Sequence, residues 1–496
     1  MAMPFLSCVH EPHHIAHDND FAERLRKTQR TDDQRRIANT PAYPHASFKY
    51  APTGAPKIMV RVLKKILSAA LVAAWPAVAF AQASPPAPPP SPPLLAITGA
   101  NIVDIDTGKV TTGAVMLIEG DRISRIGSVD AVPVPANARR LDLTGKWLVP
   151  GLMNMHVHFG LKLPGIQGLE LANETDAEQT LRMAANARDT LHAGVTTVRF
   201  THTENGNDFA LDRAIKAGYV QGPRIESAGE LIVPTAGHGF REVDGPYGFA
   251  QAVRTQFKRG ATWIKIAISG GISDTHGAIG AAPMTDEEMK TLVEVAHRNN
   301  MKVTAHNGSV EAAAQALRYG IDCFEHGYFL DEPTLKQMKA KGVWLVPTIV
   351  VSQPGAYEFY RKIGSPPWYL KRVELVGKDH WAMLQKAISL GVNIALGTDQ
   401  MPFEPNDGTT STVAEAELYV KAGMTPLQSL QAATIQPARM MDLDKNVGRL
   451  APGYYADMVA LDADPTADIS ALRGINFVMK GGAVVRHDSN PAAIDR

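Results

Sequence analysis

Cysteine is almost missing from this chain: Cys8 and Cys323 are the only two in 496 residues. That excludes a disulfide scaffold and a cysteine-based zinc finger. A charge of one sign is missing as well. Fifty Lys and Arg face fifty Asp and Glu, so no net positive field marks a nucleic-acid binder. Aromatics are sparse, and nothing resembles the repeated stacking platform of a polymer-binding module. Apolar residues at 45% and charged residues at 20% argue against disorder, collagen or a multispan membrane protein. The length fits two or three domains. What is present in number is histidine, sixteen in all, several of them where strands should end.

The only hydrophobic run that could enter a membrane lies near the start. Residues 59–81 read MVRVLKKILSAALVAAWPAVAFA. Arg61, Lys64 and Lys65 form a charged region, Ile66 to Phe80 an apolar one, and Ala79-Phe80-Ala81 a small-x-small cleavage site, the parts of a secretory signal peptide. Fifteen residues at about 1.5 Å each span about 22 Å, short of the roughly 30 Å hydrocarbon core. Pro76 weakens a spanning helix further. The expectation is a cleaved signal, no stable membrane anchor, and a periplasmic or secreted mature protein. A signal belongs at a start, so translation is expected to begin at Met59, with residues 1–58 an over-extended upstream stretch. His10, His13, His14 and His17 in that stretch read as a solvated tail. Removing residues 1–81 leaves 39 basic against 44 acidic side chains and Cys323 as the sole thiol, which is compatible with an oxidising compartment. Residues 82–93 are a stiff, proline-rich linker.

Residues 94–147 contain short β-rich runs, with turns at Asp106-Thr107-Gly108 and Glu119-Gly120-Asp121. Residues 448–487 repeat this texture before a tail at 488–496. Neither end has strands enough for a sheet alone, so the two are expected to pair in a small split β-sandwich. Across 148–447 the period changes to short apolar runs alternating with helices. Eight strands are expected: 152–158, 195–200, 224–228, 263–269, 302–306, 321–326, 343–348 and 393–398. Helices such as 286–299, 310–319 and 370–389 separate them. The fold class is α/β, a (β/α)8 TIM-like barrel. An open doubly wound sheet is the competitor, but no glycine-rich nucleotide fingerprint follows the first strand.

Residues two apart on a strand share a face, so His156 and His158 project together and can bind one metal. Alone such a pair is a weak signal. His306, His326 and Asp399 then fall at the C-terminal ends of strands 5, 6 and 8, where barrel active sites form. Lys265 sits inside the apolar run Trp263-Ile-Lys-Ile-Ala-Ile268, where a free ammonium would be badly desolvated. A lysine snorkelling from a strand end or paired with an acid is the bland alternative.

With these positions in order, the chain resembles the amidohydrolase superfamily, in the branch of imidazolonepropionase-like enzymes, prolidase-type dipeptidases and ochratoxin-hydrolysing amidases. The resemblance rests on Leu148-Val-Pro-Gly-Leu-Met-Asn-Met-His-Val-His158, Ala193-Gly-Val-Thr-Thr-Val-Arg199, Ile264-Lys-Ile266 with Ser269-Gly-Gly271, Thr304-Ala-His306, Glu325-His-Gly327, Gly397-Thr-Asp399 and the tail Gly448 to Asp457. It covers residues 94 to about 487. It implies a binuclear site, with His156, His158 and Asp399 on one divalent ion and His306 and His326 on the other. Lys265, carboxylated by CO2, would bridge them. Imidazole and oxygen donors suit zinc, with manganese, cobalt or iron as alternatives. Asp399 would take the proton of the bridging hydroxide's parent water and deliver it to the departing amine.

His238, in the loop after strand 3, would polarise the carbonyl or bind a carboxylate, and Arg241, Tyr328 and His276 are further candidates for substrate contact. Phe249, Trp368, Tyr369 and Phe403 could accept a bulky apolar group. Where many relatives continue Thr-Thr-Val-Arg with Asp, this chain has Phe200 and then Thr-His-Thr-Glu204, which bears on the pocket. The expected activity is hydrolysis of the amide of an N-acyl amino acid or dipeptide, carboxypeptidase-like and including ochratoxin A, split to phenylalanine and the aromatic acid. Hydrolysis of a cyclic amide or imidazolone, a metal-dependent esterase or phosphotriesterase, and a non-catalytic metal- or solute-binding protein are the alternatives. The partner is a small-molecule amide, and relatives imply a homo-oligomer.

Overall fold

Strand β1 (Leu94–Val103) pairs antiparallel with β2 (Val110–Glu119), and β2 with β3 (Arg122–Gly127). Glu119 lies opposite Arg122, so Gly120 and Asp121 alone make the second turn. Gly120 has φ +63°, a left-handed conformation that costs glycine little. Strands β4 (Arg139–Asp142) and β5 (Trp147–Pro150) then join β1 in parallel. In this computed structural model the described residues are 94–239, 241–399 and 411–495. The expected upstream stretch, signal peptide and proline-rich linker lie outside them, as does Phe403.

The body starts with β6 (Leu152–Val157), β7 (Val195–Phe200) and β8 (Arg224–Ser227), a three-stranded parallel sheet. Two very short strands follow, β9 (Ile232–Val233) and β10 (Arg241–Glu242). A parallel run of five comes next: β11 (Trp263–Ala267), β12 (Lys302–Asn307), β13 (Cys323–His326), β14 (Trp344–Val346) and β15 (Asn393–Ile394). The seven form one sheet in the order β10-β9-β11-β12-β13-β14-β15. Every residue of β6, β7, β11 and β13 is buried, as strands covered on both faces require. Backbone hydrogen bonds link the two sheets at both margins. Thr262 N–H donates to Ser227 O at 2.9 Å, and Met155 N–H donates to Leu396 O at 2.8 Å.

Helices between the strands carry their own start signals. Asp176–His192 and Asp286–Arg298 each open with a capping box, Thr175 with Glu178 and Thr285 with Glu288, which satisfies two otherwise orphaned N–H groups. Met289, Leu292, Val293 and Ala296 bury one stripe of the second helix, the amphipathic pattern that seats it on the sheet. The helix expected at 370–389 spans Pro367–Leu390, because proline at the first turn loses no hydrogen bond. Strand β15 is shorter than expected. Beyond Ile394 the chain divides its bonds, Ala395 N–H going to Leu345 O and Leu396 N–H to Ala432 O.

The chain then returns to the first sheet. Strand β16 (Met458–Leu461) pairs antiparallel with β5, and β17 (Phe477–Lys480) and β18 (Ala483–His487) continue outward. Both ends of the described chain thus share one eight-stranded sheet, and Ile97, Met116, Leu148, Met458 and Phe477 meet in one buried cluster.

Candidate metal centre and substrate cavity

All six candidate ligands line one cavity of about 760 Å³. His156 and His158 come from the end of β6, Lys265 from β11, His306 from β12, His326 from β13, and Asp399 from the segment after β15. Asp399 Oδ1 lies 3.2 Å from His156 Nε2 and 3.0 Å from His158 Nε2. The two Nε2 atoms are 3.1 Å apart. The His306 and His326 rings are 4.6 Å apart, and the His156 and His326 rings 5.0 Å. Ligand atoms of His156, His326 and Asp399 all lie within 4.8 Å of one another, so this cluster straddles the two ligand sets that the resemblance implies.

The surrounding hydrogen bonds fix which nitrogen each ring offers. His156 Nδ1 lies 2.7 Å from Glu325 Oε2. Glu325 is ionised: burial opposes this, but Arg199, Lys265 and His156 hold its carboxyl well below the usual range. An ionised carboxylate only accepts, so Nδ1 is the donor and Nε2 is the nitrogen turned toward Asp399. His158 Nδ1 donates to His202 O at 3.3 Å, which leaves Nε2. His306 Nε2 donates to Gly270 O at 3.1 Å, which leaves Nδ1. Burial lowers the pKa of His158, and those of His306 and His326 well below the ordinary value, which favours the neutral form of each ring. Burial alone would raise the Asp399 carboxyl, but His156 and His158 beside it hold it well below the usual carboxylate range. Imidazole nitrogens gathered around an anionic carboxylate are the donor set that a divalent cation needs. The residues therefore fit a metal.

Lys265 is buried, and desolvation lowers its amine to about 8 against the pull of Glu325 and Asp399. The backbone around the site is left-handed at three non-glycine residues: His326 at φ +62°, Thr348 at +50° and Asp399 at +54°. Such conformations store about 1–3 kcal/mol each and collect at functional sites. Thr348 Oγ1 lies 2.6 Å from His326 Nδ1, so one of these strained residues holds another.

The candidate substrate contacts divide. His238 lines the cavity and packs on His306 with ring centroids 4.1 Å apart. Tyr328 also lines it, buried and stacked on His326 at 5.1 Å. Arg241 lies on the exposed strand β10, and His276 is exposed beside Thr275, so the structure brings neither into the lining. Of the aromatic candidates, Tyr369 lines the cavity, whereas Phe249 faces the core from its helix and Trp368 packs on Tyr369. Leu161, Leu163, Ile166, Leu169, Val351 and Tyr360 complete an apolar outer wall.

Two residues in the lining escaped the sequence reading. His202, in the run Thr201-His-Thr-Glu204 after Phe200, accepts from Leu231 N–H through Nδ1 at 3.0 Å. A nitrogen that accepts carries no proton, so Nε2–H is the donor of a ring that burial keeps neutral, with its pKa pushed down to about 3. Asp274 lies 2.7 Å from His238. Only the unusual run after Arg199 could have drawn attention to the first, and nothing local signals the second.

Residues 147–485 match the amidohydrolase family. The chain is 29% identical to the ochratoxinase of Aspergillus niger over 415 residues, covering 76% of this chain and 84% of that protein. It is 28% identical to the imidazolonepropionase of Paracoccus denitrificans over 412 residues, covering 74% and 92%. A crystal structure of a Xaa-Pro dipeptidase with methionine bound in its active site superposes with a TM-score of 0.72 at 28% identity, covering 79% of this chain and all of that one. This chain belongs to the amidohydrolase family. It is a hydrolase acting on C–N bonds, with relatives of the ochratoxinase, prolidase and imidazolonepropionase kinds.

Proposed function

We propose that this protein is a metal-dependent amidase that frees an amino acid from an N-acyl amino acid or dipeptide, in the manner of a carboxypeptidase. The observation that carries this reading is the meeting of four histidines, Asp399 and Lys265 at the floor of a cavity whose outer wall is apolar. That wall suits a bulky acyl group or side chain, and amides of the ochratoxin kind fall in this class because the Aspergillus niger relative is an ochratoxinase. His156, His158 and Asp399 would hold one divalent ion and His306 and His326 another, with carboxylated Lys265 between them. When bound, such a pair, zinc by the chemistry of its donors, would supply an acidified water and polarise the scissile carbonyl.

The chain's own residues do the rest. Asp399, kept ionised by the adjacent imidazoles, takes the proton of the attacking water and passes it to the leaving amine. His238 contacts the substrate's carbonyl or carboxylate from the cavity wall.

The architecture we infer is a closed eight-stranded barrel with a split sandwich made by the chain ends. The hydrogen bonds at both sheet margins support the first and the shared eight-stranded sheet supports the second. We also propose export after cleavage following Ala81, and a homo-oligomer. Among the described residues no helix is long and apolar enough to cross a membrane. Intact mass and light scattering of the exported protein test these two points.

Mass spectrometry of products tests the activity, with zinc-loaded protein offered N-acyl amino acids, dipeptides, ochratoxin-like amides, cyclic amides and esters. The expected result is a free amino acid released by the unsubstituted protein and not by Asp399→Asn. Ring-opened products alone would instead favour a cyclic-amide hydrolase, the reading that the imidazolonepropionase relative supports. No turnover with metal bound would leave a solute- or metal-binding protein.

A further inference from the structure

We infer that Asp274 is a positioning residue for His238, and that Arg372 fastens the loop on which Asp274 sits. The inference rests on the reading that His238 contacts substrate. His238 reaches the cavity from the loop between β9 and β10, and Asp274 from the loop after β11, so nothing local in sequence holds them together. One carboxylate oxygen of Asp274 lies 2.7 Å from His238 Nδ1, and the other accepts from Gly271 N–H at 2.7 Å. Both oxygens are committed, so the carboxylate cannot swing away from the ring without losing a bond. An ionised carboxylate accepts only. Nδ1 is therefore the donor, and Nε2 is the nitrogen presented to whatever the cavity binds.

Two further features serve the same placement. A side chain at residue 271 has no room: a Cβ there would stand 2.2 Å from His238 Cε1 and 2.3 Å from its Nδ1. Glycine lets the backbone of one loop pass against the imidazole of the other, with His306 on another side of the ring, centroids 4.1 Å apart. Arg372, on the helix Pro367–Leu390, donates to Gly271 O at 2.7 and 3.2 Å and to Gly277 O at 3.0 Å. Its guanidinium thus ties both ends of the segment that carries Asp274. A fixed ring is what a substrate contact requires, because an imidazole free to rotate pays for its orientation at each binding event.

The test uses the full metal-loaded enzyme with Asp274→Ala, Asp274→Asn, His238→Ala and the double variant His238→Ala/Asp274→Ala. Gly271→Ala is added because it crowds the ring while keeping the Asp274 side chain. Readouts are hydrolysis of N-acyl-phenylalanines, metal content, and the nitrogen shifts of His238 in histidine-labelled protein. In the unsubstituted enzyme the spectrum should show Nδ1 protonated. Asp274→Ala should lose that signature and lower kcat by about 10–100-fold, the usual effect of removing a partner that orients a site histidine, with metal content unchanged. Asp274→Asn, which keeps one acceptor, should fall between, and Gly271→Ala should lower kcat as well. The double variant should be no slower than His238→Ala alone.

An unchanged His238 signature in Asp274→Ala, or additive losses in the double variant, would overturn the positioning role. A full rate in His238→Ala would instead remove the reading of His238 as a substrate contact, and with it the purpose of the arrangement.

Discussion

Glu325 decides more at this site than its position outside the ligand set suggests. Its carboxylate accepts from His156 Nδ1–H at 2.7 Å, pairs with Arg199 and accepts from Thr304, all in full burial. Arg199 in turn donates to Met155 O at 2.8 Å, so one buried ion pair orients both a ligand and the strand that carries it. Removing one partner of such a pair strands the other charge in a low-dielectric interior, at a cost of about 3–5 kcal/mol. Glu325→Ala should therefore lower the unfolding free energy, measured by urea denaturation, by that order and lose bound metal at the same time, because His156 is freed to turn. Unchanged stability and metal content would show that His156 is held by its strand alone. The left-handed backbone at His326, Thr348 and Asp399 belongs to the same scale.

At the scale of elements, the helix Ser411–Ala422 reaches under the site through Glu415. Its two carboxylate oxygens accept from Ile349 N–H and Val350 N–H, each at 2.8 Å, next to the Thr348 that holds His326. Burial outweighs these donors and pushes the carboxyl from its ordinary 4.5 to about 8. The folded protein thus binds this proton more tightly than the unfolded chain does. The Glu415 contribution to stability is full below about pH 4.3, declines as pH rises, and levels off above pH 8. The difference in unfolding free energy between the unsubstituted protein and Glu415→Gln should shift in favour of the variant between pH 5 and pH 8, measured by denaturant unfolding at both. A pH-independent difference would mean that Glu415 stays ionised throughout.

The elements themselves were largely readable. Helix Val310–Tyr319 and strand Val195–Phe200 fall where the apolar pattern puts them, because the helix buries one face at a local period and the strand is a short apolar run buried throughout. The six candidate ligands could be picked out because His156, His158, His306 and His326 fall at or beside strand ends and Lys265 stands out as a cation inside an apolar strand, whereas Asp399 lies past the end of β15. His202 and Asp274 were not, since their roles come from Leu231 and His238, which lie about thirty residues away and leave no periodic trace. Arg241 and His276 failed to reach the cavity for the opposite reason: proximity in sequence to His238 and Asp274 does not fix where a loop side chain goes.

Over the whole molecule, the chain's first and last strands join one sheet while the segment between them carries the ligands. Arg224 spans the two parts, pairing with Asp457 at 2.9 Å and stacking on Tyr455, so the ends are anchored to the strands that support the cavity. Such a frame lets residues from β6, β11, β12, β13 and the segment after β15 meet in one small volume although they span 244 positions from His156 to Asp399. The central claim is that this convergence is a metal-dependent amidase site. Its most direct test is to strip the protein with chelator and add zinc back while following free phenylalanine released from an N-acyl-phenylalanine. The account predicts no release from the stripped protein and activity that rises to a plateau at two ions per chain, with Lys265→Ala failing to recover. Full activity in the stripped protein, or full recovery of Lys265→Ala, would contradict it.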